Sequence, residues 1–431
     1  MLNKIKNIIS KTDNFLYKKF GSDKSTKALE NIKEARIIFS YLNEPGKETN
    51  VRFVGGCVRK SISGEKIDDI DLATTLSPKE TKQRLINQNI QVIETGIAHG
   101  TITAILNNKK FEITTLRKDI STDGRHANVQ FTSDWEDDAN RRDFTINAMY
   151  SDIEGRIFDP LNGISDLKNG IIKFIGSSEQ RIKEDYLRIL RYFRFFTQYS
   201  KIKYDADTLQ SIKRNINGLN KISNERIFDE LKKILKLKNI YSLFSNKNFK
   251  IILLNIFPQF IYYKRLSAIY QFNHKIISKY DIDLILSLLI VDGSNNYEYF
   301  CHKYKTSNNT KNRMKNISEN FKNIQNKKFL SEENIKKLIY TLGKKSVNDL
   351  LLFSAGMNVE KNLNLETLLN FVDNYKVPKF HISGDDLKKY GYETGIILGK
   401  KLKSLEKVWI ENNFVLDEKM LQKTLDKMSK N

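Results

Sequence analysis

The sequence predicts an α+β chain: a mixed α/β head followed by an all-α remainder. Three observations carry this. Between residues 51 and 175, short β-rich runs (VRFVGG, QVIETG, TITAIL, KFEITTL, NVQFT, GRIFDP, IIKFIG) alternate with Gly, Asn and Asp turns. From about Ser178 onward apolar residues recur at three-to-four spacing, as in EQRIKEDYLRILRYFRFFTQY and SNERIFDELKKILKLK. The chain has 431 residues, 40% of them hydrophobic, with 25 Phe and 19 Tyr, which is enough for more than one core and too aromatic for disorder.

Within the head, PKETKQRLINQN reads as a helix between β-like runs. In the remainder, DIDLILSLLIV, SEENIKKLIYTL, SVNDLLLFSAGM and LETLLNFVDNY are further helical stretches, and the Asn- and Lys-dense tract 303–328 reads as an exposed helix or a linker. The longest uncharged stretch, Ile251 to Tyr263, contains Pro258 and falls short of the roughly 20 apolar residues a membrane span needs. It reads as a buried helix pair. The N-terminal segment MLNKIKNIISKTDNFLYKKF carries charges inside every short apolar run, so it does not resemble a signal peptide. Cys57 and Cys301 cannot form a disulfide framework, and no Cys/His spacing resembles a zinc site. These features predict a cytoplasmic, reduced protein with no membrane association.

The net charge is +22 and unevenly spread: residues 1–200 hold 32 basic and 27 acidic side chains, residues 201–431 hold 41 and 24. Such asymmetry suits a polyanion-binding surface. An A/T-rich coding bias that inflates Lys, Asn and Ile would produce the same excess, so charge alone does not name a ligand.

The informative segment is VRFVGGCVRKSISGEKIDDIDLATTLSP. Gly55 and Gly56 end a β-like run before a helix starting near Cys57, where glycine lets backbone N–H groups approach a phosphate. Asp69 and Asp71 lie two apart in a β-compatible run, hence on one face. Two such carboxylates repel unless a cation sits between them, and no Lys or Arg lies within that run. Hard oxygen donors with room left for phosphate suit Mg²⁺. A solvated strand edge is the alternative for an isolated D-x-D, and Asp68 would point away to solvent. In KFEITTLR, alternation puts Phe111, Ile113 and Thr115 on one face and Glu112 on the other. If the two strands are neighbours, three carboxylates converge.

In this order, GGCVRK, DDIDLAT, RRDFTINAM and EDYLRILRYFRF resemble the class II tRNA nucleotidyltransferase and bacterial poly(A) polymerase superfamily. The motifs cover roughly residues 50–235, and HISGDDLKKYGYETGIILGKKLKSLEKVW extends a weaker similarity to about 409. The resemblance implies an N-terminal helical extension over residues 1–30 and a nucleotidyltransferase-type catalytic head over 31–175. A helical neck that reads the base would follow over 176–240, and an all-α body and tail that bind RNA over 241–431. It implies that Gly55, Gly56 and Arg59 contact the triphosphate, that Asp69 and Asp71 are metal ligands, and that Glu112 is the third catalytic acid. It further implies a nucleotide contact from Arg141 and ribose-side contacts from Asp143 and Asn147. In the neck, Asp185 with Arg188 would read the incoming base, and Arg191 and Arg194 would contact the triphosphate. One departure is plain: Lys60 stands where the family usually has Asp after the Arg of GGxVR.

The neck pair suits base reading chemically. A carboxylate accepts from an exocyclic amino group while a guanidinium donates to the adjacent ring nitrogen. Cytosine and adenine present that pattern; uracil and guanine present its inverse, at a cost of roughly 1–3 kcal/mol per unpaired buried group. A helix starting before Glu184 would put Asp185, Arg188 and Arg191 on one face. An ordinary intrahelical ion pair is the alternative, as is stacking of Arg191 and Arg194 on Tyr192 or Phe195.

VIETGIAHGTITAIL is similar to the corresponding stretch of CCA-adding enzymes rather than of poly(A) polymerases, and His99 within it reads as a turn residue. The long loop TLRKDISTDGRHANVQFTSDWEDDA favours completion of the terminal A. Its Gly124, Arg125 and acids Asp134, Glu136, Asp137 and Asp138 suit a mobile element, or else a solvated helix start. The expected function is Mg²⁺-dependent addition of CCA to tRNA 3′ ends from CTP and ATP. Poly(A) addition and non-catalytic RNA binding are the alternatives. Ser383-Gly-Asp-Asp reads as a helix cap rather than a second acidic site.

Overall fold

The computed structural model describes residues 20–21, 27–44, 49–122, 127–358 and 364–429. Most of the extension expected over residues 1–30 lies outside these, as do Gly124 and Arg125. The chain divides into two compact units, Met1–Leu243 and Phe244–Asn431.

The first unit is built on an eight-stranded sheet. In chain order its strands are β1 (Phe20–Gly21), β2 (Val51–Val54), β3 (Ile70–Thr74), β4 (Gln91–Gly96), β5 (Thr101–Leu106) and β6 (Lys109–Thr115). After a separate hairpin, β7 (Arg117–Thr122) and β8 (Ala127–Phe131), come β9 (Tyr150–Ser151) and β10 (Ile157–Phe158). The spatial order is β1-β10-β9-β2-β3-β6-β5-β4. β4, β5 and β6 form an antiparallel meander, whereas β3 and β6 run parallel. A parallel pair needs a crossover, and here it includes the Pro78–Ile86 helix, started by Pro at the first turn and by Ser77 Oγ accepting the Glu80 N–H at 3.2 Å. β6 alternates as read from the sequence: Phe111, Ile113 and Thr115 are buried and Glu112 is exposed. Phe53, Leu72, Phe111 and Ile113 are at most 1% exposed and anchor the sheet's inner face. The expected IIKFIG strand is reduced to a single bridge between Phe174 and Phe144, since the partner segment passes straight from Phe144 into the Thr145–Asn147 3₁₀ turn; Phe174 stacks on Tyr192.

The neck departs from the single helix expected to start before Glu184 and run through Asp185, Arg188 and Arg191. One helix, Ser178–Glu184, ends at Asp185, whose backbone is extended (φ −153°, ψ 105°), and a second spans Arg188–Tyr199. Asp185 Oδ1 accepts the Leu187 N–H at 3.1 Å, so this side chain closes the turn between them. Asp185 therefore does not share a helix face with Arg188 and Arg191.

The second unit is helical among its described residues. The Ile251–Tyr263 stretch is one helix, Lys247–Ile256, and a short 3₁₀ turn, Phe260–Tyr262, rather than a buried helix pair. Phe257 and Phe260 are buried, while Ile251 and Ile261 face solvent. Tract 303–328 includes the Asn308–Glu319 helix, which buries Met314 and Ile317. The segment Glu332–Gly356 is two helices broken at Gly343, whose φ of +79° only glycine adopts readily. Arg313 forks onto Asp349, with Nε and Nη2 each 2.8 Å from a carboxylate oxygen. Near the C-terminus Leu387, Leu398, Leu405 and Leu425 form a small core, and Ser383 with Asp386 makes the expected capping box.

Candidate active site

Asp71 lies in β3 and Glu112 is its direct register partner on parallel β6; Asp69 immediately precedes β3. Asp69, Asp71 and Glu112 line one open pocket of about 890 Å³. Burial pushes the Asp71 carboxyl up to about 6, reinforced by the Glu112 charge and, after an opposing effect from Arg142, by Asp69. The acids thus repel one another without full compensation from the chain. Among the described residues no group of three His, Cys, Asp or Glu side chains is gathered to hold a metal ion. The pocket instead offers two carboxylates two positions apart with a third beside them, which fits a hard divalent cation that keeps waters and takes its remaining oxygens from a substrate phosphate.

Gly55 turns the chain out of β2 with a φ of +68°, a conformation that favours glycine, and Arg142 Nη1 is in ordinary contact range of where a Cβ would stand, at 3.5 Å. A Cβ on Gly56 would lie 4.0 Å from both an Asp71 carboxylate oxygen and Arg59 Nη2. The turn therefore sits between the acidic face and a basic cluster.

That cluster starts at Arg59, which is 5% exposed. Its Nη1 donates to Asn147 Oδ1, and its guanidinium lies 4.7 Å from the Phe195 ring centroid. Asn147 Nδ2 donates to Asp143 Oδ1 at 2.8 Å, and Arg191 Nε donates to Asp143 Oδ2 at 2.6 Å. Burial opposes ionisation of Asp143, but Arg191, the Asn147 hydrogen bond and Arg188 hold its carboxyl down at about 2. With both oxygens taken inside the protein, Asp143 ties Arg59, Asn147 and Arg191 into one unit rather than presenting an open edge to a ribose. Arg194 lies 4.0 Å over the same Phe195 ring and Arg191 5.6 Å, so the stacking expected as an alternative is present. Three guanidiniums converge on Phe195. Burial lowers the Arg194 pKa; the nearby Arg191 and Arg59 charges add to this against the Glu230 attraction. A site with such an excess of positive charge favours a polyanion.

Asp185 and Arg188 are each held from elsewhere. Arg188 Nη1 donates to Glu184 Oε2 at 2.6 Å and to the Arg181 carbonyl at 2.9 Å, while Asp185 Oδ2 accepts from Arg226 Nη2 at 2.8 Å. Arg141 donates from Nε to Asp138 at 2.8 Å.

The acidic run over 134–138 is the helix start read as the alternative, with Asp134 and Glu136 exposed, but Asp138 is not solvated. Asp134 caps the Trp135–Asn140 helix, Asp137 pairs with Lys118 at 2.6 Å, and Asp138 is 1% exposed. Asp138 accepts from Arg141, from Arg142 Nη2 at 2.9 Å and from the Tyr150 hydroxyl at 2.7 Å. Arg142, Tyr150, Arg226 and Glu230 were not singled out from the sequence; Tyr150, Arg226 and Glu230 find their partners only through the fold, whereas Arg142 pairs with Asp138 one helical turn away. His99 sits in a 3₁₀ turn whose carbonyl accepts from Arg117, as a turn residue would. Lys60 pairs with Asp68 at 3.1 Å, and Asp68 is exposed as expected. Replacing Asp68 with Ala should leave nucleotide addition within about twofold, because exposed pairs contribute little; a loss comparable to that of an Asp69 variant in the same assay would overturn this.

Residues 51–173 match the family model described as "Poly A polymerase head domain", and residues 202–247 match "Probable RNA and SrmB- binding site of polymerase A". The human mitochondrial CCA tRNA nucleotidyltransferase 1 is 36% identical over 387 residues, 85% of this chain and 84% of that protein. The chain belongs to the CCA tRNA nucleotidyltransferase family. The mouse relative of the same name is 48% identical over 212 residues, covering 48% of the chain and 47% of that protein. The structure of a Bacillus stearothermophilus CCA-adding enzyme in complex with CTP superposes with a TM-score of 0.70 at 23% identity, over 93% of this chain and 99% of that one, and shares its fold. Nucleotidyltransferases of this family use divalent metal. Among the described residues no helix is long and apolar enough to cross a membrane.

Proposed function

We propose that this enzyme adds C, C and A to tRNA 3′ ends from CTP and ATP, releasing pyrophosphate at each step. The observation that carries the site assignment is the juxtaposition of an acidic face (Asp69, Asp71, Glu112) and a cluster of guanidiniums (Arg59, Arg191, Arg194) on either side of the Gly55–Gly56 turn. Asp69 and Asp71 would hold Mg²⁺, with Glu112 beside them. When bound, the ion neutralises charge on the triphosphate and favours ionisation of the attacking hydroxyl. Arg59, Arg191 and Arg194 hold the triphosphate so that the α-phosphate faces the tRNA 3′-hydroxyl, which attacks in line. Arg141 contacts the nucleotide, Asn147 faces the sugar, and Asp143 keeps Arg191 and Asn147 in place. Asp185 accepts the amino group of C or A and Arg188 donates to the neighbouring ring nitrogen, which discriminates against U and G.

The head is residues 31–175 and the neck 176–240; the body and tail, 241–431, hold 31 basic against 19 acidic side chains and bind the tRNA backbone. We place the enzyme in the cytoplasm, on its two buried, unpaired cysteines, which suit a reducing compartment.

The test is product sequencing with a tRNA ending at its discriminator base and all four nucleotides. Addition of C, C and A that then stops is expected. Exclusive use of ATP with long A tails would make it a poly(A) polymerase instead.

A further inference from the structure

We propose that the Asn224–Leu235 helix, which lies inside the segment matched to an RNA-binding region, is a positioning face for the nucleotide pocket: Arg226 fixes Asp185, and Glu230 fixes Arg194. This rests on the assignment of Asp185 to the base and Arg194 to the triphosphate.

Arg226 Nη2 lies 2.8 Å from Asp185 Oδ2, and Glu230 Oε1 lies 2.5 Å from Arg194 Nε. Arg226 and Glu230 are four residues apart, so both project from one face of the helix. The charges are complementary in opposite senses: a cation grips the acid, and an acid grips the cation. A surface made for RNA keeps its cations in water and avoids carboxylates, yet Glu230 is only 2% exposed. The other two neck residues, Arg188 and Arg191, are held by Glu184 and Asp143. The pocket is thus assembled from two directions, and this helix supplies one of them.

The consequence differs between the two contacts. Asp185 sits in the turn between two helices, so no helical backbone fixes its side chain, and besides Arg226 it has the local Leu187 N–H. Moving it by a fraction of an ångström weakens its contact with the amino group that cytosine has and uracil lacks, so Arg226 governs base choice. Arg194 lies within the Arg188–Tyr199 helix and stacks on Phe195, so Glu230 governs triphosphate affinity, which is the same for every base.

The experiment measures kcat and KM for CTP, ATP and UTP, and KM for a tRNA ending at the discriminator base, in full-length variants whose folding is checked by circular dichroism. Arg226→Gln is expected to raise the UTP-to-CTP ratio of kcat/KM about tenfold with KM for tRNA unchanged, and Arg226→Lys to shift it less in the same direction. Glu230→Gln is expected to raise KM for CTP and ATP together by several fold without altering that ratio. In an Asp185→Ala background, Arg226→Gln should add nothing. A raised KM for tRNA with base choice unmoved in both Arg226 variants would overturn the proposal and make the face an RNA contact. Asp185→Ala sets the two failures apart. If it changes base choice while the Arg226 variants do not, the positioning role alone is wrong; if it leaves base choice intact, the base-reading assignment fails and takes this proposal with it. Should Arg226→Gln not fold, the Arg226→Lys ratio decides, and an unchanged ratio overturns the proposal.

Discussion

Replacing Asp71 with Ala is expected to lower the rate of nucleotide addition by at least about 10³-fold, the scale of several kcal/mol of lost charge stabilisation at a metal-assisted phosphoryl centre. CTP binding, read by calorimetry without Mg²⁺, should change little, because the guanidiniums around Phe195 lie on the other side of the glycine turn. The thermal midpoint should hold or rise. Burial and the Glu112 charge already disfavour the Asp71 carboxylate, so its removal relieves the fold. Activity and stability therefore move apart, as expected of a residue retained for chemistry. A variant with activity within tenfold of the parent would remove Asp71 from the catalytic set.

Asp138→Ala should do the reverse and act through the fold. Asp138 is 1% exposed and is the common acceptor for Arg141, Arg142 and the Tyr150 hydroxyl. Removing one partner of a buried ionic network leaves the others unpaired, at about 3–5 kcal/mol. The thermal midpoint should drop by several degrees, and nucleotide addition at low temperature should fall less than in the Asp71 variant. Burial alone would raise the Asp138 carboxyl, but the Arg142 and Arg141 charges hold it well below the usual carboxylate range. Its contribution is complete above the unfolded value of about 4 and is lost as pH falls from there toward the folded value. The parent and the variant should therefore converge in stability on acidification below about pH 4. A midpoint within a degree of the parent at pH 7 would show that the network adds nothing.

The acidic face was legible because strand alternation is local: Glu112 opposite Phe111 and Ile113, and Asp71 two positions from Asp69, follow from a period of two. That β3 and β6 are neighbours did not follow, since no periodicity records which strands pair. The neck shows the opposite case. Spacing alone joined Asp185, Arg188 and Arg191 on one helix, but Asp185 spends its side chain closing a turn, a competition between side chain and helix that a pattern of apolar residues does not reveal. The acidic run over 134–138 was read as wet for a related reason. Charge implies solvent unless partners are known; Arg142 is a neighbour one helical turn on, but Tyr150 reaches Asp138 only after the chain has turned through the Thr145–Asn147 segment. The Ser383 cap fared better, because its side chain acts within three residues of itself.

The parallel pairing of β3 with β6 has a consequence for engineering. The frame that sets Glu112 against Asp71 is the backbone ladder itself, from Ile70 beside Phe111 to Thr74 beside Thr115. The exposed turn over residues 87–89, threaded between those strands, can be lengthened or trimmed so long as the ladder re-forms. Deleting one amino acid within Lys109–Phe111 would be far less forgiving, because a slip of a single rung turns the carboxylate inward, to where Phe111 and Ile113 now pack.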